Sequence, residues 1–343
     1  MPELPEVDHL RQSFSKVAVG ANVASIDAHP DPIIFTNGTT HTLLQATLQG
    51  AKIVSCERYG KWMYTRIEPA AGGNDAGANP PESTYWYLHL GMTGSLRIKG
   101  HDNTTYLSSN IQYASDAEEW PPKYAKFWFT LTHAESGAVH EVAFCDPRRL
   151  GKCFVQTTSA APRSVPPLSL LGFDPVHCMP DLAQWTQLLA RRSPTSPIKA
   201  VLLDQAFAAG VGNWIADEVL YQAGVHPQST CAAVVANAHV VASIRDGLSI
   251  IVTQACQYGP GGYPREWLFH YRWAKRGKGK QVVQDAHGRK VEFVSVGGRT
   301  AAYVPEVQKL LKVAASAMSR EEQRNESDLS SLEDIDEHQE LSE

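Results

Sequence analysis

The spacing of apolar positions changes along the chain. Near the start, Val7, Leu10 and Phe14 recur at helical spacing, Pro5 suits a first helical turn, and Glu6 and Asp8 suit the positive end of a helix dipole; residues 5–17 are predicted as a helix. From about residue 20 to 160 the pattern alternates, in KIVSCERYG, KWMYTRIEP, STYWYLHLG, GSLRIKG, KFWFTLTH and HEVAFCD. Such short alternating runs with turn residues between them predict an antiparallel sandwich or barrel. Two polar stretches, AAGGNDAGANPPE and GHDNTTYLSSNIQYASDAEEWPP, read as long surface loops. TTSAAPRSVPP, residues 157–167, reads as a linker. Helical periodicity then returns in DLAQWTQLLARR, PIKAVLLDQAFAAG, NWIADEVLYQAG and AVVANAHVVASIRDGLSIIVTQACQ. Residues 271–303 are strand-like again, with basic WAKRGKGKQ and turns at HG and GG.

Composition narrows the class. With 343 residues, 43% of them hydrophobic, the chain can bury the cores of two ordinary domains. No apolar run approaches the ~18 residues of a membrane helix, so no membrane is expected as a partner. The opening MPELPEVDHLRQSF has carboxylates where a secretory signal needs basic and then apolar residues. The formal net charge of −5 is unevenly spread. Residues 319–343 hold ten carboxylates against Arg320 and Arg324, a net −8, which leaves the first 318 residues at +3. An acidic, Ser-containing tail without aromatics predicts disorder, and a mildly basic body is compatible with nucleic acid. The six cysteines, at 56, 145, 153, 178, 231 and 256, form no Cys-x-x-Cys pair or zinc-type spacing, and read as buried reduced thiols.

Four short segments carry candidate chemistry. Removal of the initiator methionine from Met-Pro exposes Pro2 as a secondary amine, and an α-amino group has a far larger neutral fraction at pH 7 than a lysine. A neutral amine attacks carbonyl-type carbons to give an iminium, and Glu3 is adjacent to exchange a proton. Many chains begin Met-Pro, so the pair alone carries little. GVGN, residues 210–213, offers a turn and Asn213 as a helix cap; free amides at a helix start suit a phosphate, and Lys199 adds charge. In DPRRLG, residues 146–151, two arginines project from a turn, as forks that read phosphates or base edges. HLGMTGSLRI sets Met92 at a strand-to-strand turn, where an exposed thioether can wedge between bases.

Taken together, PELPEV, GKWMY, HLGMTGSLRI, DPRRLGK, IKAVLLDQAFAAGVGNWIADEVLYQAGVHP and GGRTAAYVPEVQKL occur in one order, from Pro2 to about Leu311. That ordered set resembles the formamidopyrimidine-DNA glycosylase family of bifunctional base-excision repair enzymes, in its plant- and fungal-like branch with a zincless finger. The resemblance implies an α+β fold: an N-terminal helix on an antiparallel β-sandwich, then a helix–two-turn–helix domain with a zincless β-hairpin and a disordered acidic tail. The implied divisions are residues 2–160, a linker at 161–175, the helical domain at 176–270, the hairpin at 271–312 and the tail at 313–343.

The resemblance also implies roles. Pro2 would attack C1′ of the damaged nucleotide, Glu3 would protonate the deoxyribose ring oxygen, Lys61 would join them, and Glu6 would support the pair. Lys61, His89, Lys199, Asn213 and Arg299 would contact phosphates. Met92 and Arg148, with Arg149 beside it, would fill the gap left by an extruded nucleotide, which must leave the stack before its C1′ can be reached. No metal and no cofactor is implied; the partner would be double-stranded DNA carrying oxidised bases or abasic sites, bound by a monomer in the nucleus. Two departures bear on substrate. Leu150 stands where bacterial members carry Phe, and the QYGPGGYPREWLFHYR loop is short. Both favour formamidopyrimidines and hydantoins over 8-oxoguanine. The alternatives are an endonuclease VIII-like enzyme for oxidised pyrimidines, disfavoured by PELPEV, and a catalytically silent DNA-binding protein, which would not require the Pro2–Glu3 pair.

Overall fold

The computed structural model describes residues 2–70, 82–101, 119–273 and 282–312. The acidic tail, most of both polar inserts and the basic KRGKGK run lie outside the described residues.

The first helix, α1 (Leu4–Ala18), begins with a capping box in which Glu3 and Glu6 serve each other's backbone N–H groups. Its apolar face, Val7, Leu10, Phe14 and Val17, enters the first core. Eight strands follow: β1 (Asn22–Ala28), β2 (Lys52–Tyr59), β3 (Trp62–Glu68), β4 (Ser83–His89), β5 (Ser95–Ile98), β6 (Ala125–Thr132), β7 (Val139–Cys145) and β8 (Lys152–Thr158). They form one antiparallel ladder in the order β5-β7-β6-β1-β2-β3-β4-β8.

The ladder folds back on itself. Only Asn22 and Lys52 pair β1 with β2, whereas the other neighbours pair along most of their length. In a flat sheet β4 would lie about 19 Å from β6. Yet the Trp86 ring of β4 lies 5.7 and 5.8 Å from Phe127 and Phe129 of β6. The two halves therefore face each other across a shared apolar core, as a sandwich does. Sequence periodicity missed β1, β8 and a short helix, α2 (His41–Leu48). The helix lies within a region read as strands, and is started by Thr40, whose hydroxyl accepts from the Leu43 N–H.

Two 3-10 turns, Pro162–Ser164 and Leu168–Leu170, lead to a helical core. It is built from α3 (Leu182–Ala190), α4 (Ile198–Leu203), α5 (Asn213–Gln222), α6 (Cys231–Val235) and α7 (Ala238–Tyr258). Two helices are shorter than periodicity suggested. The PIKAVLLDQAFAAG helix stops at Leu203, and the AVVANAHVV run breaks at Asn237, which caps α7 by accepting from the Val240 N–H. A two-stranded hairpin, β9 (Glu292–Val296) and β10 (Arg299–Tyr303), turns at Gly297–Gly298 as expected. Among the described residues no helix is long and apolar enough to cross a membrane. The cysteines are all free, but the reading of buried thiols fails at Cys178, which is exposed, and at half-buried Cys256.

Buried ion pairs join the two cores. Arg58 of β2, fully buried, donates to Asp174 at 2.5 and 3.3 Å, to the Gly60 carbonyl and to Asp8 of α1. Asp174 also accepts from the Gly60 N–H at 2.8 Å, which fixes the β2–β3 turn just before Lys61.

Candidate active site

The site forms where the start of α1 meets the start of α5. The Glu3 carboxylate, 2% exposed, accepts from the backbone N–H groups of Trp214 (2.9 Å) and Ile215 (3.1 Å). A residue 211 positions away in sequence thus caps α5. The expected cap, Asn213, is instead the first helical residue, and Gly212 precedes it. Gly212 must lack a side chain, because a Cβ there would sit 2.2 Å from Glu3 Cδ. Pro2 is buried at the same helix junction.

Burial raises the Glu3 pKa, against the lowering effects of Lys61, the two backbone N–H donors and Arg272. Glu6 is raised by burial and by Glu3 to about 7, although it accepts from the Glu3 N–H (2.8 Å), the Tyr263 hydroxyl (2.9 Å) and the Trp214 indole (3.4 Å). The Lys61 ammonium donates to the Val211 carbonyl at 3.0 Å, beside this pair, and burial lowers its pKa while Glu3 and Glu6 oppose that. Two carboxyl groups and an amine whose charged forms are all disfavoured can pass protons near neutral pH.

His89, at the end of β4, accepts the Gly91 N–H on Nδ1 at 3.0 Å, which leaves the proton on Nε2. Burial, with Lys61 and Lys152 nearby, pushes its pKa down to about 4, so it is a neutral donor and not a cation. Met92 is half-buried in the adjoining turn. That turn is locked to the DPRRLG loop: Gly91, at φ +62, lies so close that a Cβ would stand 2.4 Å from the Leu150 carbonyl carbon. Asp146, fully buried, organises both loops by accepting from the Thr93 hydroxyl and the Arg148, Leu150 and Gly151 N–H groups. Arg148 is thereby presented to solvent. Arg149 is not free: at φ +55 it turns back to form a fork on Asp31 with two 2.9 Å bonds.

Lys199 departs from the expected phosphate contact. It is fully buried, and its ammonium donates to Asp217 of α5 at 2.5 Å and to the Thr300 carbonyl at 3.2 Å. Asp217 also accepts from Arg272 at 2.8 and 3.1 Å and from the Ala302 N–H of the hairpin. Asn213 shares this anchor, its Nδ2 donating to Thr300 at 2.9 Å, while its Oδ1 is buried without a partner. The structure thus gathers Pro2, Glu3, Glu6 and Lys61 at one junction. It holds Asn213 and Lys199 under the hairpin turn and leaves Arg299 exposed at the start of β10.

Sequence reasoning missed Asp146, Asp217, Trp214 and Tyr263. Asp146 had a signal, since Asp-Pro opens a turn that needs its N–H groups satisfied. Tyr263 sits in a Gly- and Pro-rich loop that reads as surface, yet it is 4% exposed. No group of three or more metal-ligating side chains occurs among the described residues.

The chain matches known sequences along its length. The formamidopyrimidine-DNA glycosylase N-terminal domain matches residues 1–153, the family's H2TH domain matches 171–263, and the formamidopyrimidine-DNA glycosylase-like C-terminal domain matches 267–305. A formamidopyrimidine-DNA glycosylase of Arabidopsis thaliana is 33% identical over 312 residues, 90% of this chain and 71% of the relative. One from Thermomicrobium roseum is 26% identical, covering 90% of this chain and all of the relative. Among solved structures, the Lactococcus lactis enzyme in complex with abasic-site DNA superposes with a TM-score of 0.65 at 22% identity, over 90% of this chain and 99% of that one. The same enzyme bound to DNA containing N7-benzyl-Fapy-dG gives 0.64 at 23% identity. With matching domains running in order through sandwich, helical core and hairpin, the chain belongs to the formamidopyrimidine-DNA glycosylase family of DNA glycosylases.

Proposed function

We propose that the protein excises oxidised purines, formamidopyrimidines and hydantoins ahead of 8-oxoguanine, and then cleaves the strand as an abasic-site lyase. Once the initiator methionine is removed, the neutral Pro2 nitrogen attacks C1′ and the damaged base leaves with the proton that nitrogen sheds; the nitrogen lone pair then opens the ring, and Glu3 gives its proton to the deoxyribose ring oxygen. The ring-opened sugar is held as an iminium until elimination expels the phosphates on either side. The observation that carries this reading is the buried Glu3 carboxyl, which caps α5 and is raised in pKa, beside the N-terminal proline. An acid that must donate near neutral pH needs such a shift. The exposed Arg299 supports a phosphate contact at the hairpin turn, and the exposed Arg148 with half-buried Met92 supports a void-filling role. The Lys199 ammonium supports that turn from below by holding the Thr300 carbonyl, to which Asn213 also donates. The protein acts as a monomer, in the nucleus.

Borohydride trapping on duplexes that each carry one lesion tests this. The wild-type protein should become covalently linked to formamidopyrimidine and abasic DNA; Pro2→Gly should lose most of the product, and an extra residue ahead of Pro2 should abolish it. Glu3→Gln should bind abasic DNA but release base about 10²–10⁴-fold more slowly. Undiminished trapping with a blocked N-terminus would move the nucleophile elsewhere, and preference for oxidised pyrimidines would overturn the substrate assignment.

A further inference from the structure

Between α7 and the hairpin, residues 259–272 carry QYGPGGYPREWLFHYR past its first two residues, and the segment is packed inward at three points. The Tyr263 hydroxyl reaches Glu6, the Phe269 N–H donates to Glu218 of α5 at 2.9 Å, and Arg272 binds Asp217. Around the first anchor the Tyr263 ring lies 5.3 Å from Trp214, 5.6 Å from Trp267 and 4.8 Å from Phe269, in an aromatic cluster that excludes water.

Within that cluster one polar connection runs to the chemistry. Tyr263 donates to Glu6 Oε1, while Glu6 Oε2 accepts the backbone N–H of Glu3, the residue that follows Pro2. Apolar packing alone would be served by phenylalanine. A hydroxyl aimed at a buried carboxylate does something a phenyl ring cannot: it fixes the rotation of the carboxylate and favours its ionised form. We propose that Tyr263 is a positioning residue for the Pro2–Glu3 pair, acting through Glu6, whose second oxygen holds the Glu3 amide at the start of α1. This rests on the reaction proposed above.

The sign of the effect follows from the surroundings of Glu6. Glu3 lies beside it at the start of α1, Lys61 faces it from the β2–β3 turn, Cys256 from α7 and Tyr263 from the loop; the Trp214 indole is its remaining donor. The Cys256 thiol is pushed up to about 12 and stays protonated. Removing the Tyr263 donor therefore destabilises only the ionised form of Glu6 and raises its pKa above about 7.

Tyr263→Phe keeps the ring and should fold. Its rate of Schiff-base trapping should fall at pH 7 and recover towards wild type at higher pH, with the acidic limb displaced upward by about one pH unit and KM for DNA little changed. In a Glu6→Gln background the same change should have no further effect. Carbon-13 NMR of the Glu6 carboxyl reads the same displacement without any turnover. A Tyr263→Phe protein whose pH–rate curve and Glu6 titration match the wild type, or that loses activity equally at every pH, would overturn the assignment. A wild-type protein that traps no DNA would instead overturn the reaction, and the Glu6 titration would still decide the role of Tyr263.

Discussion

His89 and Arg299 illustrate how side chains of similar expected role differ in what they bring to DNA. Both were expected at phosphates, but His89 is held neutral, with Nε2 as its donor, whereas Arg299 is an exposed cation. Counterion release counts only the charge brought to a phosphate. Arg299→Ala should therefore flatten the plot of log affinity against log salt by about one contact, while His89→Gln should weaken binding with the slope unchanged. Because the His89 pKa lies near 4, binding through it should not vary between pH 6 and 8; a slope change in His89→Gln, or a binding step in that range that this variant removes, would refute its neutrality. The placement of Pro2 and Glu3 at the start of α1 and of Arg148 and Arg299 on exposed turns was legible in the sequence, because each depends on a short local pattern. The burial of Lys199 was not, since its partner Asp217 lies 18 residues on and the Thr300 carbonyl 101 residues on. Residue type announces a charge; only the fold shows which charge already has a partner.

Among the elements, the hairpin is secured in good part by polar contacts. Strand pairing from Glu292 to Tyr303 and the apolar cluster of Tyr221, Leu268, Val291, Ala302 and Val304 supply part of its stability, as strand-type residues suggested. The remainder is a polar staple. Asp285 accepts from the His287 and Arg289 N–H groups and the Arg289 guanidinium, and the Tyr221 hydroxyl of α5 donates to it at 3.1 Å. Arg289 donates in turn to the Tyr221 oxygen at 2.6 Å. One carboxylate thus fixes the DAHGR turn and ties it to the helix. Asp285→Ala should cost about 1–3 kcal/mol, read as a lower Tm, and weaken DNA binding through the displaced Arg299. Strong chelators should leave both unchanged, and loss of activity on chelation would contradict the staple. The staple escaped sequence reading because HG suggested only a turn, and nothing local links Asp285 to Tyr221, 64 residues earlier.

At the scale of the whole molecule, charge and connectivity set two further consequences. A tail of net −8 tethered to a body of +3 is expected to compete with DNA phosphates for the basic groups of the body. Truncation after Ala317 should tighten non-specific DNA binding at low salt, with the gain vanishing as salt screens it; equal affinity of both forms at low salt would remove that role. The second consequence concerns Glu3. Its carboxylate supplies the cap that α5 lacks and so stitches the sandwich to the helical core at the same atoms to which the proposed reaction assigns the proton. Function and architecture share one side chain there, so selection cannot adjust either alone. A Glu3→Gln protein, made to stall the reaction on DNA, is an altered scaffold as well as a silenced one. The amide leaves one backbone donor of α5 facing an NH₂ group, so a complex frozen by that substitution records a weakened joint between sandwich and helical core.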